Sequence, residues 1–148
     1  MAQLRSWGCV PAIALCVVAL PLGFCAHAAE RLVADLHCEP TSLLTQPSRA
    51  TMVALERAGL TLTDVDLFEF NEAFAAVAIA SMADLGIPTD IVNVNGGAIA
   101  LGHPIGMSGA RIAIHLAYEL RRRGGGIGVA ALCGGGGQGD ALVIKVNS

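Results

Sequence analysis

An α/β domain of three layers, with helices on both faces of a mixed sheet of about five strands, is the fold class this sequence predicts. Three observations point to it. Short apolar runs rich in Val, Ile and Leu alternate with longer stretches whose apolar residues recur at helical spacing. Glycines stand where the helical stretches stop. Two apolar runs near the C-terminus are separated by little more than a glycine-rich turn, a length suited to an antiparallel pair. The order β-α-β-α-β-α-β-β follows, and it builds a sheet covered on both faces.

Arg31 to His37 reads as the first strand, followed by a polar loop holding Pro40 and Pro47. Arg49 to Ala58 reads as a helix with Met52, Val53, Leu55 and Ala58 on one face, and Gly59 supplies the left-handed residue that ends it. Thr63 to Asp66 turn into a short strand, Leu67 to Phe70. Asn71 is placed to cap the next helix, with Glu69 and Glu72 near its positive end. That helix runs to Leu85 and stops at Gly86, ahead of Pro88. Ile91 to Val94 is a further strand, and a glycine-rich loop follows it. Ser108 or Gly109 starts a third helix, whose face is Ile112, Ala113, Leu116, Ala117 and Leu120. Arg121 to Arg123 lie at its negative end. Ile127 to Cys133 and Ala141 to Val146 complete the sheet.

With 148 residues there is room for one ordinary domain, and a net charge of -3 offers no basic stripe for nucleic acid. Residues 1–30 have a basic start at Arg5, an apolar run from Cys9 to Ala26 and the small-residue pattern Ala26-His27-Ala28. That is the layout of a secretory leader, too short and too interrupted by Pro11 and Pro21 for a membrane span. The folded domain is expected over 31–148. Outside the leader only Cys38 and Cys133 remain, a poor disulfide framework, and no ligand cluster predicts a metal.

Loops leaving the C-terminal ends of strands converge on one edge of such a sheet, and three of them here hold a polar or reactive side chain: Asn71, His103 and Cys133. Asn71 reads either as a helix cap or as a fixed amide that orients a water or a carbonyl. His103 stands among Gly96, Gly97, Gly102, Gly106 and Gly109 beside the stiff Pro104, a loop able to fix an imidazole as base or electrostatic donor. The spacing matches neither nucleotide-binding glycine fingerprint. Cys133 opens onto four glycines, whose amides would lower a thiol pKa and form an oxyanion hole. A buried structural cysteine is the plainer alternative. His115, inside the third helix, reads as a packed or surface residue.

Asn71-Glu72-Ala73-Phe74, the block from Asn93 through Gly102-His103-Pro104-Ile105-Gly106-Met107-Ser108-Gly109-Ala110-Arg111, and Cys133-Gly134-Gly135-Gly136-Gly137-Gln138-Gly139 occur in this order. Together they resemble the C-terminal domain of a thiolase. The resemblance implies an acyltransferase that cleaves 3-oxoacyl-CoA with coenzyme A, or runs the reverse Claisen condensation, in fatty-acid metabolism. It makes coenzyme A a co-substrate, with no permanently bound cofactor and no residue assigned to hold it. By resemblance His103 would deprotonate a nucleophilic cysteine, and Asn71 would position a water in the oxyanion site. Cys133 would be the acid/base for the α-carbon, and the Gly135 amide would steady the acyl-enzyme oxygen.

A thiolase carries its nucleophilic cysteine in an N-terminal domain, and none of Cys9, Cys16, Cys25 or Cys38 stands in a comparable setting. The expectation is therefore a truncated, catalytically incomplete thiolase with a face left open. That face favours association, with itself or with an N-terminal thiolase half. Such chemistry favours the cytoplasm. The leader keeps open an alternative, an exported, non-catalytic binding module on the same half-fold.

Overall fold

The computed structural model describes residues 32–38 and 43–148, so the leader, Arg31 and the loop residues Glu39, Pro40, Thr41 and Ser42 lie outside the described residues. The strands are β1 (Leu32–Cys38), β2 (Leu67–Phe70), β3 (Gly126–Gly134) and β4 (Gln138–Val146). Four helices, α1 (Gln46–Ala58), α2 (Ala75–Leu85), α3 (Ala98–Leu101) and α4 (Ser108–Arg122), lie between β1 and β3. The sheet order is β1-β4-β3-β2, with β2 parallel to β3 and the other pairs antiparallel, so it is mixed as expected.

Alternation along the strands builds the layers. Phe68, Phe70, Val129, Ala131, Ala141 and Val143 face α1 and α2, where Ala50, Ala54, Leu55 and Ala78 meet them. Leu67, Ala130, Ile144 and Val146 face Ile112, Leu116 and Leu120 of α4. Phe68 and Phe70 are stacked 5.8 Å apart and fully buried, each contributing roughly 2–3 kcal/mol through burial. Because α4 connects β2's side of the sheet to β3, both parallel strands end at one edge.

Three elements differ from expectation. Helix α1 begins at Gln46 rather than Arg49. Its Pro47 sits in the first turn, where a missing N–H breaks no helical bond. Helix α2 begins at Ala75 with no side-chain cap, so Asn71 is free of the capping role. The strand expected over 91–94 is reduced to a single parallel bridge between Phe68 and Val92. Asn93 explains this, since its φ of 47° turns the chain out of the ladder. Its side-chain amide then takes the place of a strand peptide, accepting from the Phe70 N–H (2.9 Å) and donating to the Phe70 carbonyl (3.0 Å).

Candidate active site

The edge where β2 and β3 end is assembled from four segments. Register aligns Phe70 with Ala131, and the Asn71 N–H continues the ladder to the Ala131 carbonyl at 2.9 Å. Asn71 therefore leaves β2 beside the end of β3, and Cys133 follows two positions beyond Ala131. The Asn71 side chain is fully buried.

His103 arrives from the glycine-rich loop between α3 and α4. The loop closes on one carbonyl, that of Pro104, which accepts from the N–H groups of Met107 (2.8 Å) and Ser108 (2.9 Å) and from the Ser108 hydroxyl (3.0 Å). On the ring, Nδ1 lies 2.6 Å from Ser108 Oγ and Nε2 lies 3.5 Å from Asn71 Nδ2. Arg111, one turn along α4, donates from Nη2 to Asn71 Oδ1 at 3.4 Å.

These contacts have one consistent direction. A guanidinium only donates, so Asn71 presents its oxygen to Arg111 and its NH2 to the imidazole. His103 Nε2 must then accept, which puts the proton of the neutral ring on Nδ1. That proton goes to Ser108 Oγ, whose single hydrogen goes to Pro104. The lone pair of Nε2 is left at the sheet edge, as a general base requires.

Glu72 ties the Asn71 segment to the His103 loop. Its carboxylate accepts from Asn93 Nδ2 and from the Ile99 N–H, each at 2.9 Å. This replaces the helix-end role expected for Glu72. Close approach also explains Gly97, where an added Cβ would lie 2.3–2.6 Å from the Glu72 carboxylate.

Glu69 points the other way, toward α4, and its side chain is only 2% exposed. Burial pushes its carboxyl up to about 7, with Arg111 opposing and Glu72 and Glu119 adding to the rise. His115 Nδ1 lies 3.3 Å from Glu69 Oε1, so the residue read as merely packed belongs to a buried polar cluster.

Cys133 is a free, half-buried thiol. Burial pushes its pKa up and outweighs its backbone hydrogen bond, contrary to the expectation that neighbouring amides would lower it. Gly135 is exposed in the turn joining β3 to β4. The structure thus brings Asn71 and His103 into contact, places Cys133 near the end of the neighbouring strand β3, and puts Gly135 in the turn just after it. Ser108, Arg111 and Asn93 carry roles that sequence reasoning missed. Ser108 was signalled by lying five residues after His103 on the same tight loop.

Fold and site define a three-layer α/β/α domain with an imidazole, a carboxamide and a thiol at the ends of two parallel strands. Residues 25–146 match the family model described as thiolase, C-terminal domain, and the chain belongs to that family. A probable acetyl-CoA acetyltransferase of Mycobacterium leprae is 60% identical over 105 residues, covering 71% of this chain and 27% of that protein. Human mitochondrial 3-ketoacyl-CoA thiolase is 52% identical over 108 residues, covering 73% of this chain and 27% of that protein. The crystal structure of the human enzyme in complex with CoA superimposes with a TM-score of 0.73 at 48% identity, over 79% of this chain and 29% of that one. The chain thus spans little more than a quarter of the length of these relatives.

Proposed function

We propose that this chain supplies the His–Asn–Cys side of a thiolase acyl-transfer site, working on acyl-CoA and coenzyme A. The observation that carries the reading is the ordered set of hydrogen bonds that puts the His103 proton on Nδ1 and leaves the Nε2 lone pair as a weakly engaged acceptor beside the buried Asn71 amide. In this reading His103 takes the proton of a cysteine thiol contributed by an N-terminal thiolase half. The thiolate adds to the 3-carbonyl of a 3-oxoacyl-CoA, and the C2–C3 bond then breaks. The electron pair left on C2 takes a proton from Cys133, which releases acetyl-CoA. Cys133 suits that task because burial keeps its thiol protonated. Its thiolate next takes the proton of coenzyme A, whose sulfur removes the acyl group from the nucleophilic cysteine. Asn71 holds a water in the oxyanion site, and the Gly135 N–H supports the acyl oxygen.

Exposed apolar side chains flank Asn71 and His103 along the chain. Phe74, Ile99, Leu101, Ile105 and Met107 are all exposed, a surface better matched to protein than to water. The reading makes the isolated chain inactive in thiolysis of acetoacetyl-CoA. Co-expression with the N-terminal half of an acetyl-CoA acetyltransferase tests it. Recovered thiolysis that His103→Ala abolishes supports the reading, whereas absence of both turnover and association overturns it. Coenzyme A chemistry of this kind favours the cytoplasm. An intact mass from the native host that lacks the residues before Ala29 or Glu30 would contradict that placement.

A further inference from the structure

We propose that Arg111 is the positioning residue of this site, setting the tautomer of His103 through the orientation of the Asn71 amide. A carboxamide can face an imidazole with either end, and nothing in the ring decides which. On the Asn71 side Arg111 does, because it has only donors to offer Asn71 Oδ1, in agreement with Ser108, whose hydrogen goes to Pro104. The Asn71 NH2 is thereby turned to Nε2. Without the guanidinium the amide can rotate, its oxygen accepting from an Nε2–H while Ser108 donates to Nδ1. All the hydrogen bonds from Asn71 to Ser108 then reverse, and the Nε2 lone pair is lost.

The guanidinium is held for this task. Two of its nitrogens, Nε and Nη1, are buried and have no hydrogen-bond partner, and Oε2 of buried Glu69 has none either. Across α4 and β2 the guanidinium opposes the rise that burial imposes on the Glu69 carboxyl. The one directed hydrogen bond of Arg111 goes to Asn71.

The inference rests on the reading of His103 as a base, yet its test reads only the ring nitrogens, so a failure of thiolysis leaves it standing. Nitrogen-15 NMR of the full chain, with no ligand, distinguishes Nδ1–H from Nε2–H in the neutral His103 ring. Wild type is expected to show Nδ1–H as the majority form. Arg111→Met, which keeps the apolar stem, is expected to lose that majority, and Arg111→Lys, which keeps a donor, to recover it in part. An Nε2–H majority in wild type overturns the proposal even if no variant folds. So does a folded Arg111→Met chain whose His103 nitrogens are unchanged.

Discussion

Ser108 Oγ lies 2.6 Å from His103 Nδ1 and passes its own hydrogen to the Pro104 carbonyl. One hydroxyl thus fixes the ring and closes the loop that carries it. Ser108→Ala removes the acceptor for Nδ1–H and frees the imidazole to rotate. In the chain reconstituted with an N-terminal thiolase half, thiolysis is expected to fall on the order of 10²-fold, the scale of a positioned base. Stability should fall by about 1–3 kcal/mol, the scale of the two hydrogen bonds its hydroxyl makes. Parallel kinetic and urea-denaturation measurements separate the two effects, and equal activity of variant and wild type would dismiss the role.

Gly97→Ala tests the junction between the two loops. Its methyl group meets the Glu72 carboxylate at 2.3–2.6 Å, so the carboxylate must give up its bonds to Asn93 and Ile99. Overpacking of this kind costs roughly 1–3 kcal/mol. The variant should unfold at lower urea, with Asn71 and His103 shifted in its NMR spectrum. Glu72→Ala in the same background should relieve part of the loss, because it removes the obstructed group. A stability equal to wild type for Gly97→Ala would exclude the steric account.

Two buried carboxyls give stability opposite pH dependences. Glu69 is raised to about 7 by burial, and facing it are the charged Arg111 and Glu119 of α4, Glu72 from the segment after β2, and the His115 imidazole. Its unfolded form titrates near 4.5, so between pH 4.5 and 7 the folded chain binds the extra proton. Stability from this group is complete below pH 4.5 and is lost as pH rises through 7, by up to about 3 kcal/mol. Glu119 is lowered to about 2 by hydrogen bonds from Arg122, Arg123 and Asn95, so its contribution is present above pH 4.5 and lost on the way down to 2. Glu69→Gln should flatten the fall between pH 5 and 7, and Glu119→Gln the fall below 4.5. An unchanged slope in Glu69→Gln between pH 5 and 7 would show that another group governs that window.

How much of this was legible in the sequence follows from which interactions are local. The ends of α1 and α2 at Gly59 and Gly86 were readable, because a left-handed residue after a helix is decided by its neighbours. The antiparallel pairing of β3 with β4 was readable for the same reason, since a short glycine-rich turn joins two apolar runs. Asn71 was not, since a cap and a buried amide have the same local sequence, and its partners His103 and Arg111 come from distant segments. Asn93 misled more strongly. Its flanking Val92 and Val94 follow a strand pattern, while its side chain does the pairing that the backbone would have done. Glu69 was read only as a charge near the start of the helix after it, because its burial depends on α4, distant in sequence, lying over β2.

The exposed apolar side chains make the last prediction. Ile105 is 88% exposed beside His103, with Ile99 and Met107 exposed on the same loop region. Residues so exposed bury little in the isolated chain, so Ile105→Ser combined with Ile99→Ser should alter its unfolding free energy by no more than about 0.5 kcal/mol per site. The same pair should weaken association with an N-terminal thiolase half, because each side chain would otherwise contribute roughly 1.5–3 kcal/mol on full burial. Sedimentation velocity on mixtures of the two halves reads the association, and recovered thiolysis reads its consequence. Weaker association with an unchanged folded spectrum places the partner on this surface. Association and thiolysis both equal to wild type would move the partner to another face and leave these isoleucines unexplained.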